Sequence, residues 1–165
     1  MCGRYELCFD YESLREHYQC SFPKNFEKYY QKQPLIKPNQ PILTLKQEHK
    51  KHNYSFMLWG LLSEWSKDPL NSFRPYNARA ETISEKPSFR SAWRHRRCLI
   101  PASGFFENKY KIRRKDPEIF WLAGIWNRWL GKEGSEIESC TIITTYANRL
   151  IKPLHNRMPS IIPNG

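Results

Sequence analysis

The sequence predicts an α+β domain that is mainly β, a barrel-like curved sheet with a few flanking helices. Three observations lead there. Apolar runs rich in β-branched and aromatic residues recur along the chain, each short and bounded by polar or Pro-containing segments. Helical signals are few and brief. The 165 residues amount to a single domain, long enough to bury a core without disulfide or metal staples.

Taken in order, the chain opens with Met1-Cys2-Gly3-Arg4-Tyr5, read as a strand or arm. Asp10 caps a short helix in which Leu14 and Tyr18 share a face, ending near Cys20 and Pro23. Residues 23–41, rich in Pro, Lys, Gln and Asn, read as a loop. Strands follow at 42–46 and 55–60, joined by a basic, polar connection over 46–52. Residues 63–87 lack periodicity and form a long irregular segment of the kind that usually carries function. Ser88 caps a helix through Trp93, after which an apolar strand begins at Cys98-Leu99-Ile100 and runs toward Gly104-Phe105-Phe106, with Glu107 at its end. Strands at 120–126 and 140–145 complete the pattern, the second followed by a short helix around 147–151.

Charge narrows the partner. Lys and Arg number 27 against 16 acidic residues, a formal net charge of +11 and a pI near 9.6, which favours an anionic partner such as nucleic acid. Basic runs at 94–97 and 109–115, with Trp65, Phe73 and Trp93 nearby in sequence, suit a groove that pairs phosphates with base stacking. No apolar run approaches the roughly 18 residues of a spanning helix, and the N-terminus lacks a signal-peptide core. The expectation is a soluble intracellular protein without a membrane partner. Cys2, Cys8, Cys20, Cys98 and Cys140 form no C-x-x-C pair, so reduced thiols are expected, and neither a metal nor a cofactor is assigned. His17, His49, His52 and His95 sit in polar or basic stretches and read as surface residues.

Four groups could carry chemistry. Removal of Met1, which a small second residue permits, leaves Cys2 with a free amine and a thiol, whose unperturbed pKa values are about 7.7–8.0 and about 8.5. Such a pair condenses with an aldehyde through nitrogen and closes a thiazolidine through sulfur, or attacks as a thiolate with its own amine as base. In Tyr76-Asn77-Ala78-Arg79-Ala80-Glu81-Thr82, Asn77 offers donors and acceptors, and Arg79 a planar fork for phosphate or carboxylate. The alternative is a turn with Arg79 and Glu81 in a surface pair. Glu107 ends an aromatic strand, surroundings that suit a general acid or base, although Lys109 and Lys111 also fit a solvated strand end. His155, between Pro153 and Pro159, is rigidly presented beside Arg157 and could move a proton while Arg157 holds an anion; a structural or solvated histidine is the alternative.

Together, Cys2-Gly3-Arg4-Tyr5, Trp59-Gly60-Leu61 with Trp65, Asn77-Ala78-Arg79 with Glu81-Thr82, the run from Arg97 to Ala102 with Gly104-Phe105-Phe106-Glu107, Ala123-Gly124-Ile125-Trp126, Thr144-Thr145 with Ala147-Asn148, and His155 with Arg157-Met158-Pro159 resemble the SOS-response-associated peptidase (SRAP) family of abasic-site processing proteins. The resemblance spans 1–165 as one SRAP-like domain that lacks the family's usual C-terminal portion. It implies a monomer with a β-barrel-like core and a positive cleft, which bonds an abasic site in single-stranded DNA covalently to its N-terminal cysteine during the DNA damage response. By the same resemblance, Cys2 is the nucleophile, Asn77 a positioning group, Glu107 the acid/base and His155 a second proton donor. Arg4, Arg79 and Arg157 would hold phosphates, and Trp65 would stack or wedge near the lesion. The family name implies a peptidase that removes Met1, which an ordinary aminopeptidase would do equally well; an imine intermediate implies a lyase side reaction. The location implied is cytoplasmic or nucleoid-associated, or nuclear in a eukaryote. Asn108 stands where the family commonly has Trp, a departure expected to loosen packing behind Glu107. Two rival readings remain: an N-terminal-cysteine amidohydrolase such as a class II glutamine amidotransferase, which also begins Met-Cys-Gly, and a noncatalytic single-strand-binding module.

Overall fold

The computed structural model describes residues 2–18 and 20–163. In chain order the elements are β1 (Tyr5–Leu7), α1 (Tyr11–His17), α2 (Phe26–Tyr29), β2 (Gln33–Ile36), β3 (Pro41–Glu48), β4 (Lys51–Trp59), β5 (Asn77–Arg79), α3 (Pro87–His95), β6 (Arg97–Ala102), β7 (Gly104–Glu107), β8 (Tyr110–Ile112), β9 (Phe120–Leu130), β10 (Glu136–Tyr146), β11 (Arg157–Pro159) and β12 (Ile161–Ile162). The mainly-β, barrel-like fold expected from the sequence is the one found. Strands β10-β4-β3-β6-β9 follow one another in one sheet, and β9 pairs back onto β10 from Glu136↔Leu130 to Ile142↔Gly124, closing a five-stranded barrel. A second sheet of order β2-β1-β7-β8 carries the N-terminal arm.

Several local expectations change. Residues 23–41 are no continuous loop. Phe26 stacks on Phe22 and Tyr30, pinning α2, and β2 adds to β1 through Tyr5↔Ile36. Because β2 is an edge strand, Pro34 costs the ladder little. Strands β3 and β4 run longer than expected because the basic connection shrinks to His49 and Lys50, both at positive φ (50° and 65°), the geometry of a two-residue hairpin turn. Helix α3 starts at Pro87 after Lys86, since proline lacks only an N–H that the first turn leaves unpaired. Ser88 is therefore inside the helix and not its cap. The strand expected from Cys98 to Glu107 is two strands in two sheets. Ser103 makes the break, its hydroxyl accepting from the Cys8 N–H (3.0 Å) and donating to the Glu6 carbonyl (3.2 Å). No helix forms at 147–151, where the Asn148 side chain accepts from the Leu150 and Ile151 N–H groups at 3.1 and 3.0 Å and sets a turn instead. Asp10 caps α1 as expected, accepting from the Ser13 N–H at 2.9 Å.

Barrel closure depends on close approach at Gly124. A Cβ there would lie 2.9 Å from Ile100 Cδ1 and 3.0 Å from both Cys98 Sγ and the Thr141 carbonyl, so β6, β9 and β10 meet where a side chain would stand. Outside the barrel, Glu6 is fully buried and held by Arg113 (2.6 Å) and Lys111 (2.9 Å). Glu48 and Glu138 share Lys46 and Arg128.

Gly124→Ala should destabilise the protein by about 1–3 kcal/mol through overpacking, read as a lower urea midpoint with unchanged slope. Burial opposes ionisation of Glu6 and Glu138, but Arg113 and Lys111 for the first, and Lys46 and Arg128 for the second, hold both carboxyls below the ordinary value; Arg128 and then Lys46 hold Glu48 at about 2. Groups with depressed folded pKa values stabilise fully above the unfolded carboxylate pKa of about 4.3 and lose that contribution as pH falls toward about 2. Urea midpoints should accordingly fall steeply between about pH 5 and about pH 2.

Candidate active site

Antiparallel pairing of β1 with β7 (Tyr5↔Phe105) and with β2 draws the N-terminal arm into the protein and leaves Cys2 fully buried. Asn77, at the start of β5, donates from Nδ2 to the Cys2 carbonyl (2.9 Å) and to the Tyr76 carbonyl (2.7 Å). The Tyr76 carbonyl also accepts from Trp59 Nε1 at 2.9 Å, while Trp59 lies edge-on to Tyr5 at 5.4 Å. Asn77 Oδ1 is buried and has no donor among the described residues. Met1 lies outside the described residues, so its removal stays a matter of sequence.

Glu107, 6% exposed at the end of β7, lines a pocket of about 390 Å³ with Gly3, Arg4, Lys37, Pro38, Phe106 and Asn108. A larger cavity of about 710 Å³ lies elsewhere, around Tyr11, Phe22 and Phe26, and holds none of the expected catalytic groups. Burial and, second, the Glu107 charge push the Cys2 thiol up to about 12. The unperturbed value of about 8.5 therefore does not carry over to the fold, because neither low polarity nor a neighbouring carboxylate favours an anion.

His155 precedes β11, and its Nδ1 accepts from the Arg157 backbone N–H at 2.9 Å. The neutral ring therefore carries its proton on Nε2. Asn108 connects this turn to Glu107. Held at positive φ (54°), it donates from Nδ2 to the Leu154 carbonyl at 2.9 Å, and its own carbonyl accepts from Arg4 at 2.6 Å. The residue expected to loosen the packing behind Glu107 thus ties the strand end that carries Glu107 to the turn that carries His155. Asn77 holds Cys2 directly, Glu107 lies near enough for its charge to act on the Cys2 thiol, and the His155 turn is joined to the Glu107 strand end through Asn108.

The expected DNA contacts fall into two sets. Arg4 and Arg79 are exposed, Arg4 lying 5.8 Å over the Phe106 ring, and Trp65 is 67% exposed. Arg157 is buried and already holds an anion: its fork meets Glu81 at 3.0 and 2.9 Å and the Thr144 carbonyl at 2.8 Å. The partner of Glu81 is Arg157 and not the neighbouring Arg79. Much of the two basic runs is also internally paired, Arg96 with Glu64, Lys111 and Arg113 with Glu6, and Arg114 with Asp116. His17, His49, His52 and His95 are exposed, as expected. Lys37 and Pro38, which line the Glu107 pocket, escaped the sequence reading because they lie in the stretch taken for a loop.

These features define a small β-barrel domain whose second-position cysteine is enclosed with an asparagine, a glutamate and a histidine at hand. The chain belongs to the SOS response associated peptidase (SRAP) family, whose model matches residues 1–165. It is 36% identical to the abasic site processing protein YoqW of Bacillus subtilis (strain 168), across 98% of this chain and 76% of that protein. Identity to the abasic site processing protein HMCES of Xenopus tropicalis is 27%, across 83% of this chain and 51% of that one. A crystal structure of a protein from Bacteroides thetaiotaomicron superimposes with a TM-score of 0.83 at 28% identity, covering 98% of this chain and 77% of that chain. One from Bordetella bronchiseptica, at 22% identity and a TM-score of 0.81 over 98% of this chain and 84% of that chain, shares the fold.

In the folded protein at pH 8, a thiol reagent should modify the half-buried Cys8 and Cys20 first, while the buried Cys98 and Cys140 react only on unfolding. Peptide mass spectrometry reads this directly, and prompt labelling of Cys98 or Cys140 would contradict their enclosure. Glu107→Gln removes the charge that raises the Cys2 pKa and should speed alkylation of Cys2 at alkaline pH.

Proposed function

We propose that this protein processes abasic sites in DNA by forming a covalent thiazolidine crosslink between Cys2 and the ring-opened aldehyde of an abasic sugar in single-stranded DNA. The observation that carries the reading is the grip of Asn77 on the Cys2 carbonyl, with Glu107 near enough for its charge to act on the thiol. Names of relatives supply the substrate class: YoqW and HMCES are abasic site processing proteins.

Once Met1 is removed, the Cys2 amine adds to C1′, and Glu107 assists loss of the hydroxyl as water to give an imine. The thiol then adds to the imine carbon, its proton passes to nitrogen, and the five-membered ring closes. His155 protonates the sugar oxygen as the sugar opens. A thiol held protonated by burial and by Glu107 does not compete with the amine for the aldehyde, and the positive charge of a protonated imine would favour thiolate only when closure requires it. This order supports the amine as the first nucleophile. It also weighs against an amidohydrolase, which needs the thiolate at the outset. Arg4, Arg79 and Trp65 serve as DNA contacts in this reading, whereas Arg157 is buried with its fork on Glu81. The imine also acidifies C2′, so elimination of the 3′ phosphate is the side reaction that rapid thiol closure suppresses.

Single-stranded DNA carrying one abasic site, mixed with the protein and run on a denaturing gel, should give a shifted, heat-stable band. Cys2→Ala with Met1 removed should lose that band and keep weak strand cleavage through its amine; a heat-stable adduct of the wild-type kind would overturn the scheme. Glu107→Gln should slow adduct formation by roughly 10²–10⁴-fold, the usual contribution of a positioned acid or base. A protein that retains Met1, verified by intact mass, should form no ring.

A further inference from the structure

We infer that Glu81 is a positioning residue for His155, acting through Arg157. The inference rests on the reading of His155 as a proton donor. Glu81 lies just beyond β5, whose Asn77 and Arg79 pair with Ile142 and Thr144 of β10. Arg157 begins β11, which pairs with the same end of β10 through Tyr146↔Arg157 and Thr144↔Pro159. The Thr144 carbonyl accepts from the Ala80 N–H at 2.9 Å and from Arg157 Nη2 at 2.8 Å, so one oxygen joins the segment after β5 to the side chain of β11. Over this junction the Arg157 fork closes on Glu81, Nη1 to Oε1 at 3.0 Å and Nη2 to Oε2 at 2.9 Å. Two parallel charge-assisted bonds fix the guanidinium in position and orientation.

The consequence reaches His155 through the backbone. The Arg157 N–H donates to His155 Nδ1, and that bond exists only while the turn from His155 to Arg157 holds its shape. Arg157 is 8% exposed, so its side chain acts as the anchor of the turn, and Glu81 supplies two of the acceptors on that anchor. Asn77 starts the strand that Glu81 follows. The pair therefore locks the residue that grips Cys2 to the residue proposed to protonate the sugar, although nothing in the proposed chemistry calls for Glu81 to touch substrate. Without Glu81, Arg157 keeps Thr144 and the face of the Tyr146 ring but loses both bonds of its fork, the turn loosens, and the imidazole loses its fixed orientation.

Two measurements on the whole protein test this. Amide hydrogen exchange at Arg157, followed by NMR with the His155 ring nitrogens, should show in the wild type a protected amide and an Nε2–H ring whose Nδ1 accepts. In Glu81→Ala the Arg157 amide should exchange at least about tenfold faster, and Glu81→Gln, which keeps one acceptor, should fall between; should Glu81→Ala fail to fold by circular dichroism, Glu81→Gln carries the comparison. Crosslinking rates on abasic single-stranded DNA should fall roughly tenfold to a hundredfold in Glu81→Ala, the scale of a misplaced catalytic group. In the His155→Ala background the same change should cause no further loss, because a residue acting through His155 has nothing left to position. Unchanged exchange in both variants, or rate losses that multiply in the double variant, would overturn the inference. If the wild type gives no adduct, the functional reading falls, and the exchange measurement alone decides whether Glu81 holds the His155 turn.

Discussion

Strand β10 closes the barrel with its first half and carries the site with its second. From Glu136 to Ile142 it pairs antiparallel with β9, and at Ser139 and Cys140 it pairs in parallel with the end of β4. Beyond that point β9 and β4 diverge, and β10 is taken over by two short strands, β5 from Ile142 to Thr144 and β11 from Thr144 to Tyr146. Neither of these strands exceeds three residues, and strands so short persist only against a rigid neighbour. Asn77 and His155 belong to or adjoin them. Their geometry is inherited from the barrel, and the close approach at Gly124 that lets the barrel shut is also what fixes the site.

The second sheet brings the other two participants. Strand β1 delivers Cys2 and β7 delivers Glu107, and the two strands are hydrogen-bonded neighbours. Enclosure of this corner has an electrostatic consequence. A cysteine sealed from water beside a carboxylate is a poor thiolate. In the proposed reaction the α-amine freed by removal of Met1 acts first, since it needs no anion to attack a carbonyl. The two nucleophiles of one residue then work in sequence in that scheme, which an interior cysteine could not supply.

The fold class was legible because the long strands are apolar and β-branched over most of their length, as in the Cys140–Ile143 stretch of β10. Short strands were not. The paired segment Gln33-Pro34-Leu35-Ile36 carries a proline and two polar neighbours, and only its register against β1 makes it a strand. Ser103 gave no sign that one apolar run would be divided between two sheets, because that depends on where Cys8 and Glu6 stand in space. At the site, the residue types were readable but the pairings were not. Sequence proximity suggested Arg79 for Glu81, whereas the true partner is 76 positions away. Asn108 read as a loss of packing, yet its small amide at positive φ makes a link that Trp could not make by hydrogen bonding to the Leu154 carbonyl in the same way.

The distribution of charge bears on how such a site would meet DNA. Glu6, Glu48, Glu64, Glu81, Glu138 and Asp116 are all engaged by arginine or lysine, so a large part of the acidic complement is used to hold the protein together. A net charge of +11 leaves more cations than these acids can neutralise. Exposed Arg4 and Arg79 lie close in sequence to Cys2 and Asn77, so a phosphate chain attracted by the excess would be drawn toward the reactive corner. Attraction of that kind is screened beyond about 8 Å at physiological salt and takes no account of which base is missing. In the proposed reaction, selection of an abasic site must therefore arise where an aldehyde can exist, at the enclosed amine of Cys2, and the basic surface serves only to bring the strand within reach of it.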